Sequence, residues 1–172
     1  MKKLNYLLVL VALMFTTNAF SQGMEPPKPV QSELINSMEG TWISEPYEMM
    51  GMKMTDEVTQ SWILNGQFFE VRIKSKGENG FDYEGLVILA PSDDGTMTGT
   101  GYDIFGKNGI TTYTSTSEGN TVYMTGKSIW GSETRNITMD GNIMTHSVIY
   151  NMMGQDGKEM PPMSMSISYN KK

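Results

Sequence analysis

The chain predicts an all-β fold, a single up-and-down antiparallel barrel of about ten strands with a short N-terminal helix closing one end. Three observations lead there. After Gly40 the sequence is rich in threonine, valine, isoleucine and aromatic residues, and it shows no helix-length period. Glycine-containing turn pairs recur at short, fairly even spacing. The segments between them alternate apolar and polar side chains, as half-buried strands do.

The turn pairs are Asn65-Gly66, Asn79-Gly80, Asp94-Gly95, Asn108-Gly109, Gly119-Asn120, Asp140-Gly141 and Asp156-Gly157. Such pairs supply the positive φ that tight hairpins need. With turns at Gly51 and Gly131 they delimit strands near 40–49, 54–64, 67–76, 81–90, 96–105, 110–118, 121–130, 132–139, 143–152 and 163–171. SELINSM (32–38) reads as a helix, with Ser32 as N-cap and Leu34, Ile35 and Met38 on one face. In the last strand Met163, Met165, Ile167 and Tyr169 oppose serines and Asn170. In FFEVRIK, Phe69, Val71 and Ile73 oppose Glu70, Arg72 and Lys74. A meander of such strands closes into a barrel to remove its edges.

Residues 1–21 read as a signal peptide. Lys2 and Lys3 precede an apolar run from Leu4 to Phe15, and Ala19-Phe20-Ser21 fits the cleavage rule. The mature protein is then expected outside the cytoplasm, periplasmic or extracellular, in a Gram-negative bacterium, with no stable membrane insertion after cleavage. Residues 22–31 form a proline-rich tether, and 32–172 form the barrel domain. Loss of the two lysines takes the formal charge from −6 to −8, which argues against nucleic acid. The absence of cysteine excludes disulfides, thiol catalysis and Fe–S clusters. A single histidine, His146, excludes any site needing two imidazoles. No Ser-His-Asp order, phosphate loop or metal-carboxylate cluster is present, so no catalytic residue is assigned.

At MEGTW (38–42) a pattern emerges. A short helix followed by Gly40-x-Trp42 on the first strand resembles the calycin superfamily of lipocalin-like barrels. That resemblance implies a tryptophan packed at the closed end under a basic residue from a late strand, here Lys171 where arginine is more usual. The chain is more closely similar to the bacterial family called domain of unknown function 1579. The motifs that carry this are MEGTW, WILNGQFFE (62–70), GYD (101–103) and DGKE…ISYNKK (156–172). It implies an exported barrel with no assigned activity. In the related nitrobindin-type barrels a histidine ligates haem iron, which would offer His146 for that role.

Two groups of residues invite function. Between 132 and 150, Glu133, Arg135, Ile137 and Met139 share one face, and Met144, His146, Val148 and Tyr150 share another. A two-residue turn at 140–141 or 141–142 puts both sets on the same side of the sheet. Glu133, Arg135, His146 and Tyr150 are therefore expected to face the interior. Arg135 would anchor a ligand carboxylate, or would form a structural pair with Glu133 beside a core histidine. The expected partner is a small hydrophobic or amphipathic molecule.

The second group is methionine. EMMGMKM (48–54) and NMMGQDGKEMPPMSMS (151–166) carry most of two clusters. Closure of strand ten onto strand one would make them neighbours on the open rim. Met50, Met52 and Met54 are then candidate Cu(I) ligands, since thioethers are soft donors. The same side chains also suit a flexible apolar lip, or simple gap-filling.

Overall fold

The computed structural model of the chain describes residues 26–30, 32–154 and 156–172. The signal-peptide reading of residues 1–21 lies outside them. A helix, α1 (Glu33–Met38), leads into β1 (Gly40–Ser44), β2 (Tyr47–Met49), β3 (Met52–Ile63), β4 (Phe68–Gly77), β5 (Asp82–Pro91) and β6 (Thr96–Asp103). There follow β7 (Thr111–Glu118), β8 (Thr121–Ser128), β9 (Gly131–Asp140), β10 (Ile143–Met152) and β11 (Met163–Lys171). Every neighbouring pair is antiparallel, in the order β1-β11-β10-β9-β8-β7-β6-β5-β4-β3-β2, and β1 also pairs with β3. That last pairing closes the barrel.

The expected strand at 40–49 is split in two, so eleven segments fill ten positions. The break falls at Glu45-Pro46. Proline has no N–H to give a ladder. The Glu45 N–H still donates to Ser168 O at 2.8 Å. Beyond it β2 pairs only with β3, through Tyr47 opposite Met54 and Met49 opposite Met52. The first half of β11, Met163–Ile167, pairs only with β10. The barrel is thus zipped through β1 at one end, and two strand edges lie unpaired beside each other at the other end, among the described residues.

The zipped end is packed shut. Ser32 caps α1 by accepting from the Ile35 N–H, and Ile35 and Met38 face inward. Trp42 is fully buried, and its Nε1–H donates to Met38 O at 2.7 Å. Lys171 Nζ stands 5.1 Å from the centre of the Trp42 ring. A second indole, Trp62, donates to Asn36 Oδ1 at 2.9 Å and meets Phe69 edge to face. The proline-rich segment passes this end, where the Gln67 side chain donates to Pro27 O.

The turns follow the expected pairs with one exception. Asn65-Gly66 and Asn79-Gly80 take positive φ, as do Gly95, Gly119, Gly141 and Gly157. At 108–109 the expectation fails. The chain makes a 3-10 turn over Gly106–Gly109, and Gly106 takes the positive φ (63°). Gly109 is small for another reason: the Asp103 carboxylate occupies the place of its missing Cβ.

Candidate functional site: a two-walled cavity

The interior is only partly filled. A cavity of about 550 Å³ runs from Ile35 and Met38 at the closed end to Met50, Phe105 and Trp130 at the open rim. This is within the range of small-molecule sites. Ten strands make a barrel wider than the eight whose interior side chains just fill. Two interior tyrosines also lie close to the wall where it lacks side chains. A Cβ on Gly126 would fall 2.7 Å from the Tyr113 ring, and one on Gly101 would fall 2.8 Å from it. Tyr83 likewise lies against Gly85, and its hydroxyl reaches Asp103 Oδ2 at 3.4 Å.

One wall is polar. The β9–β10 hairpin turns at 141–142, which sets Glu133 opposite Tyr150, Arg135 opposite Val148 and Ile137 opposite His146. His146 and Tyr150 are therefore the two diagonal neighbours of Arg135 on the inner face. Arg135 uses both. Its Nη1 lies 3.2 Å from His146 Nδ1, and its Nη2 donates to Tyr150 Oη and to Glu133 Oε2, each at 3.1 Å. All four residues expected from the sequence line one cavity.

The wall extends onto β11, β3 and β2 through residues that the sequence reading did not assign. Tyr169 packs against the His146 ring at 4.7 Å between centres and donates to Asp56 Oδ2 at 2.8 Å. Tyr47 donates to the other oxygen, Oδ1, at 2.9 Å. The Asp56 N–H donates to Ser44 Oγ. Gln60, two positions further in, donates to the sulfur of the fully buried Met144 at 3.3 Å. The signal was available: Met54, Asp56, Val58 and Gln60 are in phase on β3, and all four are buried. The rest of the wall, on β4, β5, β6 and β8, is mainly aliphatic, with Val71, Ile73, Val87, Leu89, Met97 and Met124, and carries Ser75, Tyr83 and Asp103 toward the rim.

Electrostatics fix the protonation of the polar wall. Burial works to lower the Arg135 value, but Glu133 and the neighbouring phenols outweigh it and hold the guanidinium charged. Burial, and then the Arg135 charge, push His146 well below the ordinary imidazole range, so the ring is neutral. A guanidinium offers only donors, so Nδ1 accepts and the proton sits on Nε2. Burial raises Tyr47, Tyr83, Tyr113, Tyr150 and Tyr169, which stay protonated and can donate. Arg135 Nε and His146 Nε2 are buried without a hydrogen-bond partner among the described residues.

This chemistry bears on each expected role. A carboxylate anchor needs a guanidinium whose charge is free, but Glu133 already matches Arg135. The arrangement suits a neutral, hydrogen-bonding head group better. Haem ligation by His146 does not fit, because Nε2 carries the proton and Nδ1 faces a cation. The methionines divide as well. Met54 is buried with its sulfur against Gly77, whereas Met50, at the hairpin tip with φ 53°, is 65% exposed. Met49, Met52 and Met152 line the mouth of the cavity. Met50, Met52 and Met54 thus run from the exposed tip to the buried interior of one hairpin, and all three line the cavity together with Met152.

No family model matches the chain, and no curated protein does. Among solved structures it is similar to Rv2717c from M. tuberculosis, with a TM-score of 0.61 and 11% identity over 82% of this chain and 98% of that one. At that identity the likeness is one of fold.

Proposed function

We propose that this is an exported, lipocalin-like barrel of the calycin type, related to the domain-of-unknown-function family 1579, that binds a small amphipathic molecule. The observation that carries the reading is the uneven lining of the cavity: a cluster of polar groups on β3, β9, β10 and β11, and a mainly aliphatic stretch on β4, β5, β6 and β8. A ligand with an apolar body and a neutral polar head matches both walls. Tyr150 and the Arg135–Glu133 pair would meet the head, and Val87 and Leu89 the body. The alternative, a periplasmic Cu(I) protein, has the methionine-lined mouth in its favour and needs sulfurs to converge there on binding.

Native mass spectrometry of protein purified from its own host tests the first reading by showing a retained molecule. Displacement of a bound apolar fluorophore by a long-chain alcohol or amide, competing better than the matching fatty acid, is the expected preference. Val87→Trp, which fills the cavity, should abolish fluorophore binding. Undiminished binding in that variant would place the ligand elsewhere. For the alternative, tight stoichiometric Cu(I) uptake against a chelator, lost when Met50, Met52 and Met54 become leucine, would establish the metal site instead.

A further inference from the structure

The two ends of the barrel differ sharply in what they show to solvent. Ten of the fifteen exposed large hydrophobic residues among those described lie at the open rim. Every connection there contributes: Met50 between β2 and β3, Phe81 between β4 and β5, Ile104 and Phe105 between β6 and β7, Ile129 and Trp130 between β8 and β9, and Met153 and Met160 between β10 and β11. At the closed end the four connections show one, Leu64. Connecting loops are ordinarily polar, and scattered apolar side chains need no explanation. A ring of them on all five loops of one end does.

We infer that the open rim docks onto a zwitterionic lipid surface. Loop tips at one end of a barrel all project in the barrel-axis direction, which suits a plane rather than a peptide in a groove. The tips are close to electrically balanced: Glu78, Asp156 and Glu159 stand against Lys107 and Lys158, and Lys158 is already paired with Asp156 at 3.3 Å. An anionic surface would demand a basic rim. A nearly neutral rim with a half-exposed indole (Trp130) and phenol (Tyr102) matches the headgroup layer, where amphipathic rings settle. The ring is also continuous with the cavity, since Met50, Phe81, Phe105 and Trp130 line it. An amphiphile could pass from the lipid layer into the barrel without crossing water. Two copies mouth to mouth would seal that opening.

Trp130 makes the inference testable, because the other two tryptophans, Trp42 and Trp62, lie at the closed end. Phosphatidylcholine vesicles should shift the emission to the blue, and bromines on the acyl chains should quench it. Both signals should vanish in Trp130→Phe, which should still co-sediment with the vesicles. Phe105→Ser and Ile129→Ser should each weaken co-sedimentation about tenfold or more, the scale of removing one inserted side chain. Leu64→Ser should change nothing, and 0.5 M salt should not release the protein. Absence of a blue shift would overturn the inference. So would binding confined to phosphatidylglycerol vesicles and lost in salt, or a blue shift without vesicles accompanied by a doubled mass in light scattering, which would assign the rim to a second copy. Fluorophore binding in the cavity, measured without vesicles in Ile129→Ser, whose side chain does not line the cavity, keeps a failed docking surface distinct from a failed ligand site.

Discussion

Acid should destabilise the protein through His146, and the size of the effect follows from where that ring lies. His146 is 6% exposed, with Nδ1 against the Arg135 guanidinium and its face against Tyr169. Burial and the neighbouring charge both hold its pKa well below 6.5. In the unfolded chain the same imidazole titrates near ~6.5. Below that pH the unfolded state takes up a proton that the folded state refuses, so stability rises with pH and is lost as pH falls. The slope from this one group approaches about 1.4 kcal/mol per pH unit. Acid acts on the stability of a protein through many groups, so the quantity to measure is a difference. His146→Gln keeps an acceptor for Arg135 Nη1 and removes the titration. Urea unfolding followed by circular dichroism at pH 7, 6 and 5 should show wild type losing more stability than His146→Gln, with the gap widening below pH 6.5. Parallel losses would mean that His146 titrates alike in both states. A wild type that gained on the variant in acid would mean a charged His146 in the fold, paired with Glu133, and would refute the assigned tautomer.

Other substitutions probe the packing of the same cavity. Met144→Ala, at a fully buried position whose sulfur accepts from Gln60, should cost about 2–5 kcal/mol in urea unfolding. Gly126→Val would drive a side chain into the Tyr113 ring and Glu133 Cγ, which lie 2.7 and 2.9 Å from the first added carbon. A loss of about 1–3 kcal/mol and weaker fluorophore binding are expected. Arg135→Met leaves Glu133 buried without its cation and should cost about 3–5 kcal/mol, much of it recovered in the double variant with Glu133→Gln. Equal stabilities of the single and double variants, by thermal melting, would show that the pair is not coupled.

The strand plan was legible because period-two alternation and Asn-Gly or Asp-Gly turns point the same way. The register of β9 against β10 followed from a two-residue turn, and with it the meeting of Glu133, Arg135, His146 and Tyr150. The second half of the polar wall was hidden in plainer ways. Asp56 lies on a long strand whose inward face also carries Met54 and Val58, and its partners Tyr47 and Tyr169 come from positions 9 and 113 residues away. The Tyr47 contact is local to the β2–β3 hairpin, but only barrel closure brings Tyr169 to Asp56, and the sequence encodes closure through no local signal. Pro46 was visible, but its consequence, a β2 that leaves β11, depends on the partner strand. Gly109 was misread as a turn glycine because a glycine needed for positive φ and one needed for a neighbouring carboxylate look alike in one dimension.

The cavity itself has a physical origin in other glycines, Gly85, Gly101 and Gly126. A ten-stranded barrel encloses more space than one inward layer of ordinary side chains fills, and large aromatics pointing to the axis are the simplest way to fill it. Here Tyr113 lies close to Gly101 and Gly126, and Tyr83 close to Gly85, so the bulkiest side chains of β5 and β7 lie along the wall instead of crossing the middle. On the facing strands, Tyr47, Tyr169 and Tyr150 are held by Asp56 and Arg135. Aromatic volume is thus drawn to the perimeter on both sides, by absent side chains on one and by hydrogen bonds on the other. A core selected only for stability would do the reverse. It would have no use for a charged guanidinium and two carboxyl groups around an open centre, where each unmade hydrogen bond costs about 1–3 kcal/mol. Both walls serve to keep the middle of the barrel clear.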